Sequence, residues 1–332
     1  MHDRREFLGA LAVLAAMPNT LMAQGSAIAT VTGDVAASDL GMVLMHEHIM
    51  VDFIGATKVS RSRYDADEVA RVALPHLRQA REMGCRTLVD CTPAFLGRNV
   101  ALLQRLSRES GLLILSNTGY YGAAGDKYLP PHAFKEAARD LAQRWIDEAR
   151  RGIDGTDIRP GLMKIGVDPG HLSEIDRKLV EAAALAHKAT GLAIASHTGD
   201  GTAAHQQLDI LETHGISGSA FIWVHAHNET DEALLKRAAA RGAWVEFDGI
   251  GPDSLERHVR LVAMMADAGH LGRVLVSHDA GWYHVGEPGG GTFRPFDTMF
   301  RRFVPALTEA LNGAAVTQLL VTNPSAALSR RG

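Results

Sequence analysis

Cysteine is almost missing: the 332 residues hold only Cys85 and Cys91. They stand six positions apart in what reads as one strand, so their Cα atoms are too distant to bridge, and no disulfide framework is expected. No proline-rich linker, shift of composition or internal repeat divides the chain, which favours one domain over two. Neither sign of charge dominates, since 34 Lys and Arg face 38 Asp and Glu for a formal net charge of −4. Such a balance supplies no global field to hold nucleic acid or an anionic membrane. Long apolar runs are lacking too: the stretch from Phe7 to Met17 has 11 residues, too few to span a bilayer as a helix. What is present is ordinary globular material, 46% hydrophobic and 22% charged, enough for a sizeable core.

The first residues read as an address. Arg4 and Arg5 precede the apolar run, Pro18 to Thr20 follow it, and Leu21, Met22 and Ala23 form a small-residue cleavage site ahead of Gln24. This order is that of a secretory signal over residues 1–23, and the paired arginines resemble the twin-arginine export signal. The mature protein, residues 24–332, is then expected in the periplasm or outside a bacterial cell, with no stable membrane insertion. An uncleaved amphipathic arm is the alternative.

Thereafter short β-branched or apolar runs alternate with amphipathic stretches. The runs are Val43 to His48, Thr87 to Thr92, Leu112 to Gly119, Gly161 to Val167, Leu192 to Thr198, Ala220 to Ala226, Ala243 to Gly249 and Arg273 to Asp279. Between and after them lie helical patterns at Glu68 to Met83, Asn99 to Glu109, Ala133 to Arg151, Ser173 to Thr190, Ala203 to His214, Asp231 to Arg241, Asp253 to Ala268 and Phe296 to Leu311. Ser173 and Asp176 mark one helix start, and Gly191 marks its end. Eight repeats of strand and helix predict a single-domain α/β protein, a (β/α)8 TIM barrel. A doubly wound sheet would need a Gly-rich phosphate turn after the first strand, where Gly41 to Asp52 reads GMVLMHEHIMVD. The longest irregular stretch, Gly281 to Pro295, follows the eighth strand, and loops this long commonly form lids or pocket walls.

Reactive groups of a barrel gather where its strands end. His46 and His48, two apart, point the same way on a strand, as two ligands of one metal must. That spacing alone is weak in a chain with 16 histidines, and it recurs at His225 and His227. Its weight comes from place, because His197, His225 and Asp279 also fall at strand ends. Lys164 sits inside an apolar strand, where an uncompensated ammonium is expensive to bury, so it must be paired, neutral or modified. Beside two cations a deprotonated amine can take up carbon dioxide, which makes a carboxylated Lys164 a candidate oxygen-donor bridge.

The segments GMVLMHEHI, GCRTLVDCTPAFLGRNVALLQRLS, ASHTGDG, GISGSAFIWVHA, VLVSHD and VTNPSAALS, with the Lys164 strand, resemble the phosphotriesterase family of the amidohydrolase superfamily over nearly the whole mature chain. The resemblance implies a binuclear centre. His46, His48 and Asp279 would hold the more buried metal, His197 and His225 the more exposed one, and carboxylated Lys164 with a water or hydroxide would bridge them. Four neutral imidazoles, one carboxylate, one carbamate and a hydroxide leave two dications net electrophilic, able to activate water and polarise a carbonyl or phosphoryl oxygen. Asp279 is placed to accept the proton. Zinc is the expected metal, with Co, Mn or Fe as alternatives for such ligands.

Two departures bear on substrate. A histidine follows the seventh-strand aspartate in phosphotriesterases proper, whereas Asp248 here precedes Gly249. His225 is followed by Ala226, His227, Asn228 and Glu229, which displaces the acidic residues expected there. Hydrolysis of a small-molecule ester, lactone or phosphoester is therefore expected, with ester or lactone ahead of phosphotriester cleavage. The alternatives are a phosphotriesterase proper, a mononuclear amidohydrolase, or a non-catalytic binding protein stabilised by metal. Tyr121, His227, Asp248, Trp282 and Arg294 are the candidate substrate residues, and Arg294 would suit an anionic substrate. A homodimer is expected only by analogy with the family.

Overall fold

The structure, a computed structural model, describes residues 27–330. The export segment expected over residues 1–23 lies outside them. An antiparallel hairpin of β1 (Ile28–Thr30) and β2 (Gly33–Val35) comes first, an element too short for periodicity to announce. The barrel strands follow: β3 (Val43–Val51), β4 (Thr87–Asp90), a third strand interrupted at Ser116 into β5 (Leu113–Leu115) and β6 (Asn117–Thr118), β7 (Leu162–Val167), β8 (Ile194–Thr198), β9 (Phe221–Val224), β10 (Trp244–Phe247) and β11 (Val274–Val276). Each pairs in parallel with its neighbours in chain order.

No ladder joins β11 to β3 directly, and the ring closes through the residues after β11. Asp279 N donates to His46 O at 3.0 Å and His48 N to Ala280 O at 2.9 Å. Then β12 (Gly281–His284), inside what the sequence suggests is irregular loop, pairs in parallel with β3. The buried Glu47 carboxylate ties this seam. It accepts from Ser277 Oγ (2.8 Å), His278 N (3.1 Å), His278 Nδ1 (2.7 Å) and Ala280 N (2.8 Å).

Strand alternation sorts the core into two parts. Val43, Met45, Val89, Leu115, Leu162, Ala195, Ile222, Val224, Trp244 and Leu275 pack together inside the ring, with Ile28 of the hairpin and Leu328 near the C-terminus. Their neighbours Leu44, Leu88, Ile114, Met163, Ile194, Phe221, Val245 and Val274 pack outwards against the helices. A two-sided apolar strand covered by helices is what a parallel barrel requires. On β3 the register with β4 slips between Leu44 and Glu47. This bulge switches the parity of the strand, so that Glu47 joins the outer side and His46 and His48 the inner one.

The helices follow their amphipathic faces. Glu174–Thr190 begins with reciprocal capping between Ser173 and Asp176 and stops at Gly191 in the left-handed region. The stretch expected as one helix from Ala133 to Arg151 is two, Pro131–Lys135 and Ala138–Arg151, because Glu136 is extended between them. The one expected from Phe296 to Leu311 begins as a π-helical turn, Met299–Phe303, before Val304–Ala310. Both cysteines are buried and free. Among the described residues no helix is long and apolar enough to cross a membrane.

Candidate metal centre

Positions on or just after five strands bring the six candidate ligands to the C-terminal mouth of the barrel. His46 and His48 come from β3, Lys164 from β7, His197 from β8, His225 follows β9 and Asp279 follows β11. The ring centroids of His46 and His48 lie 5.3 Å apart, those of His46 and His225 5.1 Å, and those of His197 and His225 4.4 Å. His46 and His48 turn Nε2 towards Asp279 Oδ1, at 3.8 and 3.2 Å. His46 Nε2 and Asp279 Oδ1 are buried without a hydrogen-bond partner. Converging lone pairs left unsatisfied in a buried site are costly unless a cation occupies the point between them. Nitrogen and carboxylate donors suit a divalent transition metal.

The opposite edges of the imidazoles are anchored. Asp248, fully buried, places Oδ2 2.8 Å from His46 Nδ1 and accepts from His225 Nδ1 at 2.9 Å. His48 Nδ1 lies 2.7 Å from Thr92 Oγ1, whose own hydrogen goes to Met50 O. Thr92 therefore accepts from His48, and a carboxylate can only accept from His225. These imidazoles carry the proton on Nδ1 and keep an Nε2 lone pair free to ligate. Two groups, His46 with His48 and Asp279, and His46 with His225 and Asp248, have ligand atoms within 4.8 Å of one another and could hold a metal ion. Because Asp248 grips the Nδ1 edges, its place is behind the histidines, orienting them. That corrects its expected role as a substrate residue: a carboxylate with no exposure beneath the imidazoles does not meet substrate.

At His48, His197 and Asp279 protonation agrees with ligation. Burial draws the His48 pKa down to about 4, with Asp279 only partly opposing, and burial also pulls His197 well below its ordinary range. Burial pushes Asp279 upwards, yet His48 and the neighbouring imidazoles outweigh it and hold the carboxyl at about 2. His48 and His197 are thus neutral and Asp279 ionised near neutral pH, the states that bind metal, whereas at His46 burial is outweighed by Cys91 and Asp248, which raise its pKa well above the ordinary range. His225 (φ 63°) and Asp279 (φ 53°) occupy the left-handed region. That strain, about 1–3 kcal/mol each, is typical of functional positions.

Lys164 is 1% exposed, with its Nζ 5.6 Å from the centroid of the Tyr121 ring. No carboxylate among the described residues lies within ion-pair distance of it. His197 stands outside the two close groups and joins the cluster through its ring contact with His225. Tyr121 OH is 3.1 Å from His197 Nδ1. Trp282, at φ 72°, sets its ring 5.2 Å from that of His48. Arg294 lies over the Trp282 ring at 4.7 Å and donates to the Asp279 carbonyl. His227 Nδ1 is 3.1 Å from Asp248 Oδ1. A Cβ at position 249 would lie 2.4 Å from His227 Nε2, so the imidazole fills the room that Gly249 leaves.

Sequence reasoning missed Glu246, Thr92, Phe53 and Tyr128. Glu246 is buried, 3.6 Å from His46 Nδ1, and burial raises its pKa. The signal was available, since Glu246 and Asp248 alternate with apolar residues in AWVEFDG, a spacing that turns both carboxylates inwards. Phe53 and Tyr128 join Trp282 in an aromatic wall, with Phe53 ring centroids 5.5 Å from Trp282 and 6.0 Å from Tyr128.

This arrangement has relatives. The chain is 30% identical to the phosphotriesterase homology protein of Escherichia coli (strain K12) over 290 residues, 86% of this chain and 97% of that one. It is 26% identical to the aryldialkylphosphatase of Saccharolobus solfataricus over 74% of this chain and 78% of that one. The N-acetyltaurine hydrolase of Danio rerio is 24% identical over 90% of this chain and 96% of its own. Residues 26–328 match the family description "Phosphotriesterase family", and with the barrel and its converging histidines in place, the chain belongs to the phosphotriesterase family.

Proposed function

We propose that this protein is a binuclear metal-dependent hydrolase that cleaves a small-molecule ester or lactone. The observation that carries the reading is the pair His46 and His48, whose Nδ1 edges lie against Asp248 and Thr92 while their Nε2 edges converge on Asp279. Two divalent cations bound there, zinc or alternatively Co, Mn or Fe, would polarise the bond to be cut and lower the pKa of water. His46, His48 and Asp279 would hold one cation, and His197 and His225 the other. Lys164 Nζ, lacking a carboxylate partner, would as the free amine add to carbon dioxide, forming the N–C bond as one N–H proton passes to solvent, and the carbamate would supply oxygen donors to the centre. Asp279, ionised and beside the cluster, receives the proton that water loses. Asp248 fixes the tautomers, and the wall of Phe53, Tyr128 and Trp282 shields the site from bulk solvent.

Ester or lactone cleavage is preferred to phosphotriester cleavage because Gly249 stands where the family's relay histidine would. The N-terminal segment supports export to the periplasm, readable as cell fraction for the wild type against a variant with Arg4 and Arg5 both changed to Lys. Elemental analysis of the metal-loaded protein, beside Lys164→Ala, tests the centre. About two metals per chain, falling to one or none in the variant together with turnover of lactones, esters and phosphotriesters, is the expected result. One metal in both would move the reading to a mononuclear amidohydrolase. Metal-dependent melting with no turnover of any compound would leave a binding protein.

A further inference from the structure

A cavity of about 390 Å³ lies between the loop after β10 and the segment after β12. Ile250, His278, Ala280, Arg294, Arg301 and Arg302 are among its lining residues. Arg294 links its wall to the metal centre, since it donates to the Asp279 carbonyl and stacks on Trp282, whose ring lies 5.2 Å from that of His48. The volume falls in the range of small-ligand pockets, roughly 300–1,000 Å³.

Three arginines and one carboxylate, Asp297, line its wall. Arg301 is paired with Asp297 at 3.1 Å. Arg294 stacks on Trp282, and no carboxylate among the described residues lies within ion-pair distance of Arg294 or Arg302. His278, also on the wall, is already engaged on both nitrogens, by Glu47 and by Met299 N. The cavity therefore presents two guanidinium groups without counter-ions. Guanidinium forks match carboxylate, sulfonate and phosphate groups, and loops after the seventh and eighth strands of such barrels are a frequent seat for anions.

We infer that this cavity is an anion subsite, and that the substrate carries a carboxylate, sulfonate or phosphate group held by Arg294 and Arg302 while the bond to be cut lies over the metals. The inference rests on the hydrolase reading for the second half of that statement and on the cavity alone for the first. Trp282 gains a role in it as the plate that fixes Arg294 between the two halves of the site. Neutral lactones and triesters would occupy the metal centre while leaving the arginines unused.

The test has two arms on the metal-loaded full chain. In the first, sulfate is titrated while tryptophan fluorescence is followed, since an anion on Arg294 changes the field at the Trp282 ring. A saturable response, weakened at least tenfold in Arg302→Gln and largely restored in Arg302→Lys at unchanged melting temperature, is expected. In the second, lactones and aryl esters are compared in matched pairs, one member ending in a carboxylate, sulfonate or phosphate and the other in a neutral amide. The ratio of kcat/KM should favour one class of charged member and fall at least tenfold in Arg302→Gln, chiefly through KM; the class with the largest ratio identifies the anion. No saturable response to sulfate, or the same response in Arg302→Gln, would overturn the subsite. A response lost in the variant without turnover of any compound would uphold the subsite and overturn the hydrolase reading instead.

Discussion

Asp248 is the residue on which the centre turns. One carboxylate serves His46 and His225, which belong to different metals in the proposed centre, and it does so from a position with no solvent exposure. Its neighbours hold it ionised, since burial pushes its pKa up while His225 and His46 pull it well below the ordinary carboxylate range. Asp248→Asn would keep the shape but remove the charge and turn an acceptor oxygen into a donor. Metal affinity should fall about 10- to 100-fold, as losses of such orienting partners do, measurable by competition with a chelator. Unchanged affinity would show that the histidines are held by packing alone. Beside it, His227 and Gly249 form a size-matched pair, because the imidazole occupies the space a side chain at 249 would need.

At the scale of elements, the seam between the last strand and the first decides whether Asp279 reaches the histidines. Gly281 lies at φ 91° opposite His48, and a Cβ there would stand 1.9 Å from the His48 carbonyl oxygen. No side chain can move to relieve that overlap, since the obstacle is backbone. Gly281→Ala should therefore cost more than about 2 kcal/mol and loosen the Asp279 site, so that denaturant unfolding and metal content drop together. Loss of stability with full metal content would separate the seam from the centre. The hydrogen bonds to Glu47 brace the same seam from the outer side.

Across the whole molecule, stability in acid should carry the mark of buried histidine. Burial lowers the pKa of His258 to about 4, with the hydrogen bond to Ser254 O only partly opposing. The unfolded chain takes up a proton near pH 6.5 that the folded one refuses until about pH 4, so stability rises with pH across that window and falls as the solution is acidified through it. The contribution at pH 5 is on the order of 2 kcal/mol. In unfolding titrations of His258→Gln beside the wild type, the difference in stability between pH 7.5 and pH 5 should shrink by about that amount; an unchanged difference would assign the acid sensitivity to other groups.

The eight-fold alternation and the inward sense of the β7 and β8 positions were legible in the chain, because strand periodicity is a local property, and residue type and place along the strands marked the candidate ligands. Lys164 and His197 follow the parity of the apolar residues around them, and the capping of Glu174–Thr190 follows from Ser173, Asp176 and Gly191. Other features were settled only in three dimensions. The bulge on β3 turns His46 and His48 inwards against the parity of Val43 and Met45, since pairing register belongs to two strands at once. His225 reaches the cluster through a left-handed backbone that no alternation rule anticipates. Asp248 moves from expected substrate contact to buried anchor, and the arginine-lined cavity arises from segments about 50 residues apart in the chain. Sequence pattern thus determined which groups could ligate and on which strands they stand. Tertiary closure decided which of their atoms meet, because burial and register place a nitrogen to within an ångström and neither is a property of one segment.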